Sequence, residues 1–390
     1  MPSVVLEKPG QVSLALLPPL ALYVHIPWCV RKCPYCDFNS HERSGALPEQ
    51  DYVQKLVSDV ESLLPSVWGR RIVSVFIGGG TPSLFSPEAI DTLLSAVRAR
   101  LVLEPDAEIT LEANPGTVEA ARFRGFRDAG VNRISVGVQS FDDAMLAKLG
   151  RIHSAAEARR AVDAALEAVG NVNLDLMYGL PGQTPEMARA DIAQGIATGV
   201  PHLSAYQLTI EPNTVFWSKR PAGLPQHDQA ADMQLVVEEQ LAGAGFEHYE
   251  TSAFARPGRR CQHNLNYWEF GDYLGIGAGA HGKVSFPDRV TRHERIKQPR
   301  DYLGNANTLS TEKTVPPKEL PFEFMLNALR LIEGFALELF QQRTGLAVLG
   351  IEQELEKAEE KGLIERDWKR VRPTARGRLF LNELLELFLR

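Results

Sequence analysis

The sequence predicts an α/β chain: a partial TIM-like (β/α)6 barrel, then an irregular extension, then a small C-terminal α domain of winged-helix-like pattern. Three observations carry this expectation. Between residues 21 and 245, short β-branched runs alternate with longer amphipathic ones. Residues 246–319 are rich in Gly, Pro, His and aromatics and hold no long helical period. Residues 320–390 read helix, helix, helix, hairpin, helix. Residues 1–20 precede the first strand as an N-terminal extension.

In order, the expected strands are Leu22–Ile26, Ile72–Ile77, Glu108–Glu112, Arg133–Val138, Val172–Leu176 and His202–Thr209. Between and after them lie apolar residues spaced three and four apart, predicting helices over Tyr52–Leu64, Ala89–Leu101, Thr117–Asp128, Ala155–Val169, Pro185–Thr198 and Gln229–Ala244. Ser86 before Pro87 and Thr184 before Pro185 have the chemistry of N-caps. Repeated βα units imply a parallel sheet, since each crossover helix covers one face of it. Residues 298–318 have the composition of a linker or surface loop. In the C-terminal domain the expected helices are Phe322–Leu331, Leu337–Arg343 and Gly350–Lys361, followed by a hairpin from Leu363 to Arg372 and a helix from Arg376.

With 390 residues the chain is long enough to bury a large core without a stapling disulfide or structural metal. Its 42 basic and 49 acidic residues give a net charge of −7, which argues against a nucleic-acid partner. The winged-helix-like segment does not change this: residues 320–390 hold 11 Lys+Arg and 12 Asp+Glu, with no basic recognition helix. The apolar stretch from Leu14 to Val30 contains Pro18, Pro19 and Pro27, which would break a spanning helix. It also lacks the pattern of a signal peptide. Four sparse cysteines fit a reducing compartment, so a cytoplasmic location is expected.

Three of those cysteines, Cys29, Cys33 and Cys36, form C-x3-C-x2-C directly after the first strand. Chance would produce this spacing on the order of four times in ten thousand. Three thiolates on one loop can hold three irons of a [4Fe–4S] cubane and leave the fourth for a chelating small molecule. The alternative is a zinc ion on the three cysteines and a histidine, since His25 and His41 flank the loop.

The spacing and its place in the chain resemble the radical S-adenosylmethionine (SAM) superfamily. That resemblance implies a cluster on Cys29, Cys33 and Cys36 whose open iron is chelated by SAM. It also implies that an electron from the reduced cluster can cleave SAM to a 5′-deoxyadenosyl radical. SAM should then meet residues at successive strand ends. The sequence supplies Gly78-Gly79-Gly80-Thr81-Pro82 after the second strand, Glu112 on the third, Gln139 on the fourth with Arg151 soon after, and Asp175 on the fifth. Arginine suits a carboxylate, the acids and amide suit an ammonium and ribose hydroxyls, and glycines let backbone approach the ligand.

The runs Leu22–Phe38, Gly78–Pro82, Val136–Phe141 and Asp175–Thr184, with the C-terminal domain, resemble more narrowly the oxygen-independent coproporphyrinogen III oxidase-like family, which includes the HemW heme-chaperone branch. In that family Tyr23, Gly79, Gly80, Thr81, Glu112, Gln139, Arg151 and Asp175 match SAM-contacting positions, and Tyr35 matches an aromatic before the third cysteine. Two departures separate this chain from the oxidase. Phe38 stands where the oxidase has a fourth cysteine, and only 28 residues precede Cys29, without the oxidase's longer N-terminal arm.

Cys261-Gln262-His263-Asn264-Leu265-Asn266-Tyr267-Trp268 resembles the H-N-x-x-Y-W motif associated with heme in the chaperone branch. Imidazole or thiolate can ligate heme iron and aromatics can pack on the macrocycle. His263, His281 and Cys261 are the candidate axial ligands. The glycines between Gly271 and Gly282 could lie flat on a planar ligand, and Arg256, Arg259 and Arg260 could meet propionates. The resemblance therefore implies a protein that binds heme and hands it to acceptor hemoproteins, some respiratory and at the membrane, with a flavodoxin or ferredoxin as electron donor. The enzyme alternative is porphyrinogen decarboxylation or another radical SAM reaction.

Overall fold

The computed structural model describes residues 11–117 and 120–389. Residues 1–10 of the expected extension and 118–119 at the start of the expected third helix lie outside them. Six strands alternate with six helices: β1 Leu20–Ile26, α1 Glu49–Val67, β2 Arg71–Gly79, α2 Pro87–Arg98, β3 Val102–Ala113, α3 Ala120–Ala129, β4 Arg133–Gln139, α4 Ala155–Val169, β5 Val172–Tyr178, α5 Pro185–Ala197, β6 His202–Gln207 and α6 His227–Gly243. Ser86 and Thr184 do cap α2 and α5, accepting from the amides of Ala89 and Met187 at 3.2 and 3.3 Å. Each cap satisfies one of the orphan N–H groups of a helix start.

From β1 to β6 adjacent strands run parallel in sequence order. Both faces are covered, so the strands are apolar nearly throughout. Leu22, Val24, Ile77, Leu111, Ile134 and Leu174 share one core with Leu56, Leu93, Phe123, Val162 and Ile192 from the helices.

The extension expected to be irregular instead enlarges this sheet. It forms β7 Glu247–Glu250, β8 Ala253–Ala255, the helix α7 Gln262–Trp268, β9 Asp272–Ile276, β10 His281–Phe286, β11 Arg289–Arg295 and β12 Leu309–Thr314. The result is one open twelve-stranded sheet in the order β12-β11-β10-β9-β1-β2-β3-β4-β5-β6-β8-β7. It does not close into a barrel. β9 lies parallel beside β1 (Leu22 opposite Leu274), while β10, β11 and β12 follow antiparallel. Residues 298–318, expected to be a loop, contain a helical turn, Pro299–Gly304, and the edge strand β12. Its mostly exposed polar side chains, Leu309 to Thr314, explain why periodicity missed it.

The glycines after Phe270 serve this sheet. A Cβ on Gly275 would stand 1.9 Å from the His281 carbonyl oxygen, and one on Gly277 2.3 Å from that of His25. These two permit backbone-to-backbone packing, whereas Gly271 and Gly279 line a cavity described below. Asp272 anchors β9: its carboxylate accepts from Lys283 Nζ at 2.8 Å, Arg70 Nη2 at 2.8 Å and the Ser285 amide at 2.9 Å.

The C-terminal unit packs helices Leu320–Ala328, Leu337–Thr344 and Glu352–Glu360 around Phe324, Phe335, Phe340 and Leu355. A three-stranded sheet of Phe335–Ala336, Ile364–Arg366 and Arg370–Pro373 completes the winged-helix-like pattern. Among the described residues, no helix is long and apolar enough to cross a membrane.

Candidate cofactor-binding site

The cysteine loop leaves β1 and returns on itself. Trp28 and Cys29 pair in parallel with His41 and Glu42, so residues 30–40 form a closed excursion. Asn39 ties it to the far side of the sheet, donating from Nδ2 to the carbonyls of Ala278 and Lys297, each at 2.9 Å. Cys29, Cys33 and Cys36 line one cavity of about 510 Å³.

Each sulfur has a polar neighbour. Thr81 Oγ1 donates toward Cys29 Sγ at 3.5 Å, and Arg151 Nη1 toward Cys33 Sγ at 3.6 Å. Cys36 Sγ is 3.7 Å from Ser40 Oγ. Such donors stabilise thiolate over thiol, which a metal ligand requires. Burial works against them: the Cys29 and Cys36 thiols are pushed above their ordinary value, chiefly by desolvation. A positive iron centre would reverse that balance.

The geometry disfavours zinc here. Among the described residues, the only group of three His, Cys or carboxylate ligands with all ligand atoms within 4.8 Å of one another is Glu108, Cys261 and His263. Cys29, Cys33 and Cys36 do not form such a group, whereas one tetrahedral ion with Zn–S bonds of about 2.3 Å would gather its ligands within that range. Both histidines that could complete a zinc site are engaged. His25 Nδ1 meets Tyr23 Oη at 2.7 Å and its Nε2 the Asn39 carbonyl at 2.9 Å, while His41 Nε2 meets Asn39 Oδ1 at 3.2 Å.

The strand ends bring most of the expected SAM positions to the same cavity: Tyr35, Gly79, Gly80, Thr81, Glu112, Gln139, Arg151 and Asp175 line it with the cysteines. The glycine turn is there because nothing larger fits. A Cβ on Gly80 would lie 2.6 Å from the Trp28 carbonyl oxygen, and Gly79 sits at φ +114° against the His25 ring. Gln139 ends β4 at φ +73°, a left-handed conformation uncommon outside glycine and frequent where backbone strain serves a site.

Arg151 is fixed by Asn114 Oδ1 at 2.7 Å and the Gly137 carbonyl at 2.6 Å. Glu112 Oε2 accepts from the Gly79 amide at 3.0 Å, and Asp175 accepts from Asn173 and Ser135 at 2.7 and 3.0 Å. Burial, with the negative charge of Asp175, raises the Glu112 carboxyl to about 8; burial likewise raises Asp175. Two desolvated acids beside each other suit a cationic ligand, which would ionise them on binding.

Tyr23 is the exception. It lines a second cavity of about 770 Å³, which shares Phe38, Ser40, Phe76, Gly79 and Glu112 with the first. His281 lines this second chamber. His263 faces the cysteine cavity but is buried at the start of α7. Cys261 is fully buried, and desolvation holds its thiol well above the ordinary range. Arg256 and Arg260 line neither chamber: Arg256 donates to the Ala244 carbonyl and Arg260 pairs with Glu247 and Glu333. The carboxylates thus pair Arg260, while Arg256 is held on a backbone carbonyl. Sequence reasoning missed Asn114, which positions Arg151, and Phe76 and Tyr273, which wall the second chamber. No motif marks them; only the strand register places them there.

The radical SAM superfamily profile matches residues 23–193, and the HemN C-terminal domain profile matches residues 315–380. With the three-cysteine loop after the first parallel strand, this defines a radical SAM protein. The chain is 52% identical over 375 residues to the heme chaperone HemW of Escherichia coli (strain K12), covering 96% of this chain and 99% of that protein. It is 50% identical over 379 residues to HemW of Haemophilus influenzae, covering 96% and 98%. The chain belongs to the HemW heme-chaperone family. A mouse relative, radical S-adenosyl methionine domain-containing protein 1, mitochondrial, is 39% identical across 94% of this chain and 86% of its own length. Among solved structures, the E. coli coproporphyrinogen III oxidase HemN superposes with a TM-score of 0.80 at 24% identity, over 95% of this chain and 90% of that one. That likeness establishes the shared fold.

Proposed function

We propose that this chain is a cytoplasmic heme chaperone that carries a [4Fe–4S] cluster on Cys29, Cys33 and Cys36, holds SAM beside it, and passes heme to acceptor hemoproteins. The single observation that carries the reading is the 52% identity to a heme chaperone across 96% of this chain. The site is compatible with it. The three thiols share a cavity with Arg151 and the two half-buried acids Glu112 and Asp175, a donor and acceptor set matched to the carboxylate and ammonium of an amino acid.

When bound, the cluster supplies a low-potential electron and an iron open to a chelating ligand. The chain's own residues orient and enclose. Thr81, Arg151 and Ser40 set the polarity at the sulfurs, the glycine turn admits a ligand against backbone, and Tyr35 packs toward Phe216, ring centroids 6.3 Å apart, beneath the loop. A flavodoxin or ferredoxin fits the need for an electron donor. Phe38, 60% exposed, stands where the oxidase pattern carries a cysteine, which disfavours porphyrinogen decarboxylation.

The test is heme transfer. Anaerobically reconstituted protein, loaded with hemin and mixed with an apo-hemoprotein, should give up its heme, with saturation near one heme per chain beforehand. Failure to saturate, or turnover of coproporphyrinogen III by the reduced SAM-loaded protein, would replace the chaperone reading with an enzymatic one.

A further inference from the structure

Three arginines of the C-terminal unit converge on a cleft that shares no residue with either chamber. Along the strand Arg370–Pro373, Val371 and Pro373 are buried, so Arg370 and Arg372 share the opposite face. Thr374 Oγ1 then donates to the Gly362 carbonyl at 2.7 Å and accepts from the Gly377 amide at 3.0 Å. This turns the chain into the short helix Ala375–Leu379. Gly377 lets that helix lie against the preceding backbone, since a Cβ there would stand 1.8 Å from the Leu363 carbonyl oxygen. Arg378 thereby joins Arg370 and Arg372 in lining one cavity of about 660 Å³.

Three guanidinium groups around one cavity repel one another, and the chain compensates them poorly. Glu333 and Glu365 also line it. Glu333 is already held by Arg260, from outside the cavity, with Nη2 at 2.7 Å from Oε1. That hydrogen bond, with the charges of Arg260, Arg370 and Arg372, keeps its carboxyl below the ordinary range. Glu365 stands across from Arg372 in the strand register, yet among the described residues no ion pair reaches Arg370, Arg372 or Arg378. Arg370 donates from Nη1 to the carbonyls of Glu333 and Gly334 at 2.8 and 3.4 Å. The side chains of Arg372 and Arg378 make no hydrogen bond among the described residues.

The acids of this unit lie across the small sheet. Arg366, which alternates with Glu365, pairs there with Glu352 at 2.7 Å and Glu359 at 2.9 Å. Their helix, Glu352–Glu360, carries five glutamates and one lysine, so it would repel a nucleic-acid backbone approached in the manner of a helix-turn-helix reader. At the cleft, arginine forks match phosphate oxygens. A phosphate group offers three forks more acceptor oxygens, and up to about twice the charge, than a carboxylate does. The cavity is in the range of small-molecule sites, and Ile332, Pro373 and Ala375 give it an apolar wall. The geometry points to a phosphate-ester site in this cleft, with Arg370, Arg372 and Arg378 on the phosphate oxygens and the rest of the ligand along that wall. Its source is a soluble phosphate ester or the headgroup of an anionic phospholipid. Trp368, 81% exposed at the tip of the same hairpin under the Lys369 ammonium, is where a lipid surface would make further contact.

The test uses full-length, cluster-reconstituted protein in two arms. Glycerol 3-phosphate is titrated by calorimetry. Co-sedimentation is measured with vesicles of phosphatidylglycerol and phosphatidylcholine, against phosphatidylcholine alone. The wild type is compared with the double variant Arg372→Ala/Arg378→Ala and with Lys357→Ala on the helix across the sheet. Because the two arginines make no hydrogen bond within the chain, the double variant should keep the wild-type far-ultraviolet spectrum and melt no earlier. Saturable binding is expected in one arm, at least about tenfold weaker in the double variant and unchanged in Lys357→Ala. Binding of glycerol 3-phosphate assigns a soluble ester, and binding to the anionic vesicles alone assigns a lipid headgroup. No binding in either arm, or equal binding by wild type and double variant, would overturn the site. Each of these results leaves the heme-chaperone reading untouched.

Discussion

Phe76 on β2 and His263 on α7 stack face to face, ring centroids 4.2 Å apart. The pair joins the start of α7 to the middle of the parallel sheet. Burial alone would raise the Glu108 carboxyl, but the His263 hydrogen bond and the Arg133 charge outweigh it and hold the group at about 2. His263→Ala removes one of those partners and leaves a space beneath Phe76. Chemical denaturation of the cluster-free protein should show a loss of about 2–4 kcal/mol. A variant as stable as wild type would contradict the structural role.

Glu112 gives a pH signature. An unfolded glutamate ionises near 4.5, while the folded group holds its proton to about 8. Below 4.5 both states are protonated and the full contribution is present. Between 4.5 and 8 only the unfolded chain releases the proton, so stability falls through that window and levels off above it. The size is on the order of a few kcal/mol. Urea unfolding of the ligand-free protein from pH 5 to 8.5 should show this slope, flattened in Glu112→Gln. Identical slopes in the two proteins would disprove the assignment.

The glycine turn tolerates no side chain. In Gly80→Ala the new methyl would stand 2.6 Å from the Trp28 carbonyl, and backbone cannot yield as a flexible side chain does. A cost of about 1–3 kcal/mol is expected, together with weaker SAM binding measured by equilibrium dialysis. Unaltered SAM affinity would show that the turn does not meet the ligand.

Replacing Cys33 by Ala should reduce bound iron and sulfide from about four each per chain to a small fraction of that, while the far-ultraviolet spectrum is retained. Arg151→Leu, which keeps all three thiols, should retain iron and lose SAM affinity. Full iron content in the Cys33 variant, or zinc in its place in the wild type, would refute the cluster.

Asp272 holds two cations in the sheet interior, Lys283 and Arg70, each at 2.8 Å. Asp272→Asn leaves Lys283, whose side chain is 1% exposed, without a counter-charge. Breaking such a buried pair costs about 3–5 kcal/mol, readable as a lower denaturation midpoint. A shift under 1 kcal/mol would imply that the ammonium reaches water.

The βα repeat was legible because helix faces such as Ala155–Val169 and strands such as Arg133–Gln139 each carry one clear period. The cysteine loop was legible from spacing, and most residues around it from their positions at strand ends. The edge of the sheet was not. Asp272, Lys283 and Arg295 are buried polar residues on strands, and each interrupts the apolar alternation by which strands are recognised. The second chamber was hidden for another reason. Tyr23, Phe76 and Tyr273 come from β1, β2 and β9, neighbours through a crossover that local sequence does not encode. Of the glycines that suggested a flat ligand surface, Gly275 and Gly277 serve strand packing while Gly271 and Gly279 line the second chamber, a distinction that only the register of β9 against β1 makes.

That register has a consequence during synthesis. One edge of β1 pairs with β2, but the other waits for β9, about 250 residues later in the chain. As the polypeptide emerges from the ribosome, Leu20–Ile26 therefore keeps an unpaired apolar edge until nearly three-quarters of the protein has been made, a state prone to mispairing and dependent on holding factors. The cysteine loop shares the delay, because Asn39 is anchored on the carbonyls of Ala278 and Lys297. The frame that holds the three thiols in place is therefore complete only after the late strands have been translated.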